Sequence, residues 1–192
     1  MAITTLNLRA LNRSDTASSG QLVTATSATA MDFQDAAAGG KVLQVVSGTK
    51  TDSTTTTSTS WADMGFSQAI TPSTTGSKIL VLFNLSWGNS SGAGFIKIQR
   101  DIASGGYADI AMGDAHGSRL RAAFGVNRND WFESALSHLD SPSYSSGNAI
   151  TYKIQWHSES GNTVYLNQRW SATDNTSHSM NYSAITLLEI GS

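Results

Sequence analysis

Histidines and acidic residues are the side chains of this sequence best suited to binding a metal, and they are thinly spread. The two closest approaches to a metal-ligand spacing are Asp114-Ala115-His116 and His157-Ser158-Glu159. On an extended strand, each pair would lie on one side of the chain. Neither pair has a third or fourth ligand nearby, and His138 and His178 stand alone. We therefore interpret the histidines as turn and rim residues, and the sequence predicts neither a metal nor another cofactor.

Carboxylates and serines could also support hydrolysis. A glycosidase needs two carboxyl groups a few ångströms apart. Glu133, with Asp130 before it and Asp140 after it, is the best placed of the three glutamates. The alternative, which the sequence favours, is that these are carboxylates of rims and turns. No Gly-x-Ser-x-Gly motif activates a serine, and the chain contains no cysteine. The sequence thus favours a protein without enzymatic activity.

Two arginines follow a pair of glycines. Residues Gly113–Arg121 read Gly-Asp-Ala-His-Gly-Ser-Arg-Leu-Arg, which is typical of a tight turn followed by a strand. Arg119 and Arg121 would then share one strand face. One hypothesis places them at a subunit interface, pairing with Asp114 or Asp140. The other is a solvated strand whose arginines extend along its surface, and both hypotheses remain open from the sequence alone.

Five tryptophans give the chain a large aromatic content. Any of them could stack on a sugar or pack in a core. Trp87 and Trp156 are in phase with apolar neighbours, which predicts packing in the core or at a trimer axis. Trp170 lies between Arg169 and Ser171, ahead of a polar loop. It is the best candidate for an exposed tryptophan that contacts a glycan, with a packing role as the alternative.

The composition of the 192-residue chain argues against several classes of partner. Charged residues make up 14% of the chain and the net charge is −2, whereas about a quarter of residues are usually charged. The absence of a basic run argues against nucleic-acid binding. The longest apolar run, Ile79–Phe83, is far too short to span a bilayer, and Met1–Arg13 lacks the pattern of a signal peptide. We expect a protein made in the cytoplasm whose weakly charged surface packs beside identical copies without repulsion.

Residues 1–40 differ from the remainder of the chain. They are rich in Ala, Thr and Ser and contain no Trp or Tyr, so they cannot bury a core of their own. We expect an extended N-terminal arm that anchors the protein to a neighbour in an assembly. Within this arm, Met31–Gly40 could form a short helix that ends at Gly39. Residues 41–192 form the second predicted region, a single domain.

From Lys41 onward, short apolar or alternating segments are separated by turns rich in Ser, Gly and Asn. The predicted strands are Lys41–Val46, Trp61–Ile70, Lys78–Trp87, Phe95–Arg100, Tyr107–Met112, Trp131–Leu139, Ala149–His157, Val164–Asn167 and Tyr182–Ile190. Thr51–Ser60 is interpreted as a loop that could continue into an edge strand. Both prolines fall in turns, as hydrogen-bonded sheets require. The pattern predicts an all-β fold, an antiparallel jelly-roll sandwich of about eight to ten strands that follows the extended arm.

Ala149–His157 is the clearest two-faced strand of the chain. One of its faces carries apolar and aromatic residues: Ile150, Tyr152, Ile154 and Trp156. We expect that a lone chain cannot cover all such apolar faces and that sister chains complete the core. Ile154 and Trp156 are the apolar candidates for the resulting homotrimer interface, and Arg119 and Arg121 are the charged ones.

Four segments resemble a known group of proteins: Gly113–Arg119, Leu139–Pro142, Thr151–Gln155 and Ala184–Ile190. They are similar to segments of short structural proteins of tailed bacteriophages, which are described as tail-fibre or capsid decoration proteins. The resemblance covers about Lys41–Ile190. It implies a trimeric jelly roll similar to that of the complement and tumour-necrosis-factor-like group. It implies no catalytic residues and leaves residues 1–40 outside.

The resemblance implies a protein of the virion surface that is made in the host cytoplasm. The leading hypothesis is a trimeric capsid decoration or cement protein. Its residues 1–40 would bind another virion protein, either the major capsid protein or a tail protein. The alternative is a tail-fibre or tail-tip protein that recognises a host surface glycan, with Trp170 among the contacts. A glycan-degrading enzyme is the third hypothesis and has the least support from the residues.

Overall fold

The computed structural model describes residues 21–25, 31–35, 41–127, 131–169, 176 and 178–191. The chain divides into two compact units, Met1–Lys41 and Val42–Ser192. In the first unit, β1 (Gln21–Ala25) pairs antiparallel with β2 (Met31–Asp35). The helix predicted to begin at Met31 is therefore wrong for Met31–Asp35, because pairing with the neighbouring strand β1 outweighs the local helical pattern. Residues 36–40 of that segment lie outside the described residues.

The second unit consists of strands and loops, and no helix occurs among its described residues. Its strands are β3 (Val42–Lys50), β4 (Thr54–Thr56), β5 (Ala62–Ile70), β6 (Lys78–Asn89), β7 (Ala93–Ile102), β8 (Ala108–Ile110), β9 (Phe124–Asn127), β10 (Trp131–Asp140), β11 (Ile150–Ser158), β12 (Val164–Leu166) and β13 (Ser183–Ile190). The predicted all-β class is confirmed. The strands outnumber the prediction because short pieces, including the unpredicted β9, supplement the long ones.

Two antiparallel sheets contain these strands. The first has the order β3-β13-β6-β10, and the short ladder β12-β4 continues it beside the end of β6. The second has the order β5-β11-β7, followed by β8 and β9, which pair with different parts of β7. If β8 and β9 are counted as one interrupted strand and the β12-β4 ladder is left out, this unit has eight strands, which can be renumbered 1 to 8 along the chain. Their orders in the two sheets are then 1-8-3-6 and 2-7-4-5. This is the strand order of a jelly roll.

The inward faces of the two sheets form one core. Fully buried members are Trp87, Tyr152, Phe83, Met64, Ile70, Ile79, Leu85, Ile96, Ile98, Ile150, Ile154 and Leu166. They recur at every second position along β6, β7 and β11 because side chains alternate between the faces of a strand. The two sheets thus cover each other within one chain. The expectation that sister chains are needed to complete this core is therefore wrong.

Asp140, at the end of β10, joins the first sheet to the second. Nη1 of Arg100 on β7 donates hydrogen bonds to both carboxylate oxygens of Asp140, at 2.7 and 2.8 Å. The hydroxyl of Tyr152 on β11 donates to Oδ2 at 2.8 Å. Burial raises the pKa of Tyr152, and the Asp140 carboxylate raises it further, so the phenol remains a donor. The Leu-Asp-Ser-Pro segment thus begins at a buried link between the sheets.

A second buried carboxylate, Glu189 on β13, anchors the loop before β6. It accepts hydrogen bonds from the amides of Ser73 and Thr74 and from the hydroxyls of Ser73 and Ser77, at 2.9–3.1 Å. Burial alone would raise the pKa of Glu189, but these donors outweigh burial and hold the pKa below its ordinary value. This carboxylate is therefore charged and satisfied, and its role is to hold the fold.

Candidate functional site

An apolar row crosses the solvent-facing side of the first sheet. Leu80 of β6 pairs with Leu139 of β10 on one side and with Leu188 of β13 on the other, and Leu188 pairs with Val45 of β3. Val45 and Leu139 lie on β3 and β10, the outer strands of these four, and their exposed fractions are 56% and 49%. Since neighbouring strands are about 4.8 Å apart, the row is about 14 Å long. We call these four residues the apolar row.

The surroundings of the apolar row extend its apolar character. Val42 and Leu43, at the start of β3, are exposed, and Leu82 of β6 is half-buried on the same face as Leu80. Among the described strands, β3 pairs only with β13, so its other edge has no partner. Apolar edges of this kind attract other chains unless they are covered. Contiguous exposed apolar surface is typical of an interaction site.

The outward face of the second sheet is different because its charges are paired. Lys97 Nζ lies 3.0 Å from Asp109 Oδ1 and 4.9 Å from the ring centre of Trp61. Lys153 Nζ lies 2.8 Å from Asp63 Oδ2. Burial would raise the pKa of Asp109, but hydrogen bonds from Gln99 and Lys97 lower it below its ordinary value. The two lysines of this face are thus paired with carboxylates, whereas the apolar row leaves its surface uncovered.

A polar cleft of about 500 Å³ opens on the first sheet, away from the apolar row. We call it the Tyr182 cleft, and its lining residues are Thr51, Asn84, Glu133, Met180, Asn181 and Tyr182. Asn84 stands four positions beyond Leu80 on β6, so roughly 14 Å separate the two along the strand. Glu133 pairs with Ser86 and is a diagonal neighbour of Asn84. The other lining residues come from the loop after β3 and from the segment that leads into β13.

A buried amide, Asn167, holds two walls of the Tyr182 cleft. Its Nδ2 donates to the carbonyls of Lys50 and Asp52 at 2.7 and 3.0 Å, which fixes the residues on either side of Thr51. The backbone carbonyl of Asn167 accepts a hydrogen bond from the backbone N–H of Asn181 at 2.9 Å. Asn167 has a positive φ of 60°, a conformation that asparagine tolerates better than most residues. The fold therefore fixes the backbone beside Thr51 and at Asn181.

Hydrogen bonds behind the cleft also orient the side chain of Asn181. Its Nδ2 donates to Ser86 Oγ at 2.9 Å. The Ser86 amide donates in turn to Ser183 Oγ, which donates to Asn167 Oδ1 at 2.7 Å. This chain fixes the Asn181 amide group, and within the described part of the chain no donor reaches its Oδ1. The oxygen is thus available to a ligand.

The polar groups of the cleft are otherwise unengaged. Across the described ranges, the side chains of Asn84, Glu133 and Tyr182 make no hydrogen bond or ion pair with the protein. Tyr182 is 59% exposed, and Met180 beside it is exposed as well. The described residues contain no cluster of three potential metal ligands. The cleft therefore offers an aromatic ring, two amides, two hydroxyls and one carboxylate, without a concentration of charge.

Arg119 and Arg121 lie in an exposed loop. The strand predicted after Gly113 does not form there, because the backbone turns at His116–Arg119 and the Arg121 side chain closes the loop. Arg121 Nε donates to the Gly113 carbonyl at 2.7 Å, and the next strand begins only at Phe124. Neither arginine pairs with Asp140, whose partner is Arg100. Their role in a subunit interface remains a prediction.

Ile154 and Trp156 lie inside the sandwich, at 0% and 3% exposed. Both side chains are buried by their own chain, so neither is accessible to a sister chain. Of the two alternatives for Trp156, core packing is the one that its burial supports. Trp87 is fully buried as well, and its Nε1 donates to Ser134 Oγ at 2.9 Å. Trp170 lies outside the described residues, so its predicted contact with a glycan remains a prediction.

The carboxylates considered for hydrolysis are not brought together. Glu133 lies on the outward face of β10, whereas Asp140, an odd number of residues away, points inward to Arg100. Asp130 lies outside the described residues. Glu159 is exposed in the turn after β11, and Glu189 is buried among serines. Among the histidines, His157 packs between the rings of Trp61 and Phe95.

Sequence reasoning singled out one lining residue of the Tyr182 cleft, Glu133, and missed the others. A sign of the cleft is present in β6, whose outward positions change from Leu80 and Leu82 to Asn84 and Ser86.

Neither protein-family models nor curated proteins give a match to this chain. No helix of the described residues is long and apolar enough to cross a membrane. The two surfaces of the first sheet, the apolar row and the Tyr182 cleft, are therefore the candidate functional sites.

Proposed function

We propose that this protein is a structural component of a tailed-phage virion surface that works as a homotrimer. The observation that carries the proposal is the apolar row of Val45, Leu188, Leu80 and Leu139. A chain that already closes its own core has no internal need for these side chains on its outward face. Burying them against another molecule would contribute about 25 cal/mol per Å² of apolar area. Three copies is the number that the resemblance to phage structural proteins implies.

Identical copies are the partner that suits this face. The four residues of the apolar row carry no charge, and Lys78 on β6 and Glu133 on β10 lie on the same face, on opposite sides of the row along the strands. A symmetric contact places the same patch of each copy near the patch of the next. Like charges would then repel each other, so an uncharged centre with charges at the margin favours self-association. The low proportion of charged residues, 14% of the chain, is consistent with dense packing of copies.

Within the virion, we propose that the trimer is a capsid decoration or cement protein. Residues 1–40 would bind the major capsid protein or a tail protein and so attach the trimer to the particle. A terminal segment of low hydrophobicity is suited to this role because it can gain its buried surface from a partner. The protein would be made in the host cytoplasm and assembled there. We assign it no enzymatic activity, nucleic-acid partner or membrane partner.

The mass of the full chain in solution tests the self-association. We expect sedimentation velocity at micromolar concentration to give three times the chain mass of 20.3 kDa. The double variant Val45→Asp/Leu139→Asp should sediment as a single folded chain, because both side chains are already half exposed and each copy would bring two buried charges to the contact. Leu120→Asp is the matched control, since Leu120 is similarly exposed but lies in the loop after Gly117. It should remain trimeric.

Two results would overturn this proposal. A single-chain mass for the unmodified protein removes the homotrimer, and a trimeric Val45→Asp/Leu139→Asp variant removes the apolar row from the interface. Circular dichroism of each variant separates loss of association from loss of folding. Quantitative mass spectrometry of purified particles then tests the location. A copy number that follows the capsid lattice supports decoration, and cross-links from residues 1–40 would identify the neighbour.

A tail-fibre or tail-tip protein that binds a host glycan is the second candidate function. The Tyr182 cleft favours it, because an exposed aromatic ring beside unengaged polar groups is suited to a sugar. In this case the copy number would follow the tail or its fibres. The same trimer could serve either location, so the two candidates share the self-association test and differ in the particle measurement.

A further inference from the structure

We propose that the Tyr182 cleft binds a neutral saccharide, through the ring of Tyr182 and the polar groups of Asn84, Asn181, Glu133 and Thr51. A pyranose ring has an apolar face of C–H groups and a rim of hydroxyls that both donate and accept hydrogen bonds. The cleft offers the complement of each part. Tyrosine combines an apolar face with a polar tip, and amide, carboxylate and hydroxyl groups together supply donors and acceptors.

The arrangement of the cleft limits the cost of binding. Asn181 is held by its backbone bond to Asn167 and by its side-chain bond to Ser86. Thr51 lies between Lys50 and Asp52, whose carbonyls are both fixed by Asn167. Asn84 and Glu133 project from strands of the sheet. The Asn181 side chain and the backbone at Thr51 are therefore already in place and lose little conformational freedom when a ligand arrives, which lowers the cost of binding.

The charges of the lining residues select against ions. Glu133 is the single carboxylate among the lining residues, and a calcium site needs six to eight oxygen ligands with several carboxylates. No Lys or Arg is among the lining residues, so an anionic sugar or phosphate would meet Glu133 without a compensating cation. A neutral saccharide avoids both difficulties, because its hydroxyls can donate to the Glu133 carboxylate and accept from the amides.

This inference rests on the second candidate function, whose glycan site it specifies, and it does not depend on the structural role. The cleft is formed within one protomer, and it lies on the first sheet about 14 Å along β6 from the apolar row. An interface centred on the apolar row would leave the cleft at the margin of the contact. Several copies would then present several clefts, and multivalency raises the strength of attachment to a surface rich in glycans.

Saturation-transfer difference NMR on the full chain tests the proposal. The probes are methyl glycosides of glucose, galactose, mannose and rhamnose, and N-acetylglucosamine, at millimolar concentration. We expect transfer to the ring C–H protons of at least one sugar. Tyr182→Ala should weaken binding by roughly tenfold, whereas Tyr182→Phe should retain most of it because the ring remains. Tyr107→Ala is the matched control, since Tyr107 is also an exposed tyrosine but belongs to the segment before β8 in the other sheet.

Absence of transfer to every sugar in the unmodified protein would overturn the proposal. Equal transfer in Tyr182→Ala and in the unmodified protein would overturn it as well, because the ligand would then bind elsewhere. Thermal unfolding of Tyr182→Ala establishes that the variant is folded. Light scattering on the same samples keeps this result separate from self-association, since a single-chain protein that binds sugar retains the cleft proposal, and a trimer that binds none retains the structural one.

Discussion

Removing the Asp140 carboxylate is expected to weaken the contact between the two sheets. In the native protein, both carboxylate oxygens accept from Arg100, and Oδ2 also accepts from Tyr152. Asp140→Ala leaves the guanidinium without its counter-charge and the fully buried Tyr152 hydroxyl without its acceptor. Tyr152→Phe is the complementary change, because it removes the phenol and leaves the Asp140–Arg100 pair in place.

The size of the effect follows from the exposure of the partners. Breaking a buried ion pair by removing one member costs about 3–5 kcal/mol, but the Arg100 side chain is 21% exposed and regains some hydration. We therefore expect Asp140→Ala to lower the free energy of unfolding by ~3 kcal/mol, at the bottom of that range. Asp140→Asn keeps an acceptor for one donor and should cost ~2 kcal/mol. Tyr152→Phe should cost ~1 kcal/mol, as expected for one hydrogen bond.

Urea unfolding followed by tryptophan fluorescence measures these differences, because Trp87 and Trp156 are buried in the core between the sheets. All variants need the same protein concentration, since self-association would add to the apparent stability. The double variant Arg100→Met/Asp140→Leu is the control. It should be more stable than Asp140→Ala, because neither side chain leaves a buried charge unpaired. A cost below ~1 kcal/mol for Asp140→Ala would refute the role of Asp140 as the link between the sheets. A cost for Tyr152→Phe that exceeds the cost of Asp140→Ala would refute it as well.

Two further predictions concern Gly94 and Glu189. A Cβ at Gly94 would lie 3.1 Å from the Trp87 ring and 3.3 Å from Val164, so Gly94→Ala should lower the free energy of unfolding by ~1–3 kcal/mol through overpacking. Urea unfolding checks this, and a neutral result would show that the Trp87 ring can move aside. The folded-state pKa of Glu189 lies below its ordinary value of 4.5, so its contribution to stability is present above pH 4.5 and is lost as pH falls through the lowered pKa. Glu189→Gln should therefore be less stable than the unmodified protein at pH 7, with a difference that shrinks in acid. A difference that stays constant between pH 7 and pH 3 would contradict the assignment.

Strand positions could be predicted from the sequence wherever one face of the strand meets the core. In β11, the alternation of Ile150, Tyr152, Ile154 and Trp156 with polar residues is visible without a structure, and all four side chains are buried. The same holds for Leu85 and Trp87 in β6. The pattern depends only on the two-residue period of a strand and on burial of one face, so it is a local property of the sequence.

Features that depend on contact with another segment of the chain could not be predicted in this way. Met31–Asp35 is a strand because Gln21–Ala25 pairs with it, although its own sequence allows a helix. The link between Asp140 and Arg100 joins strands of opposite sheets, and nothing in either segment specifies the other. The Tyr182 cleft likewise collects residues from β6, β10 and two loops, and its geometry depends on Asn167, a residue with no distinctive sequence context.

The residue types at the outward positions of β6 are not dictated by the core of the fold. Its inward residues, from Ile79 to Trp87, are uniformly apolar because the core demands it. The solvent face of an antiparallel sheet is ordinarily polar, yet Leu80 and Leu82 are apolar, whereas Asn84 and Ser86 are not. Burial within one chain does not explain the apolar start, whereas polar residues such as Asn84 are ordinary on a solvent face. We propose that sister chains cover the apolar half and that a saccharide binds beside Asn84 in the polar half, so substitutions in one half should leave the function of the other intact.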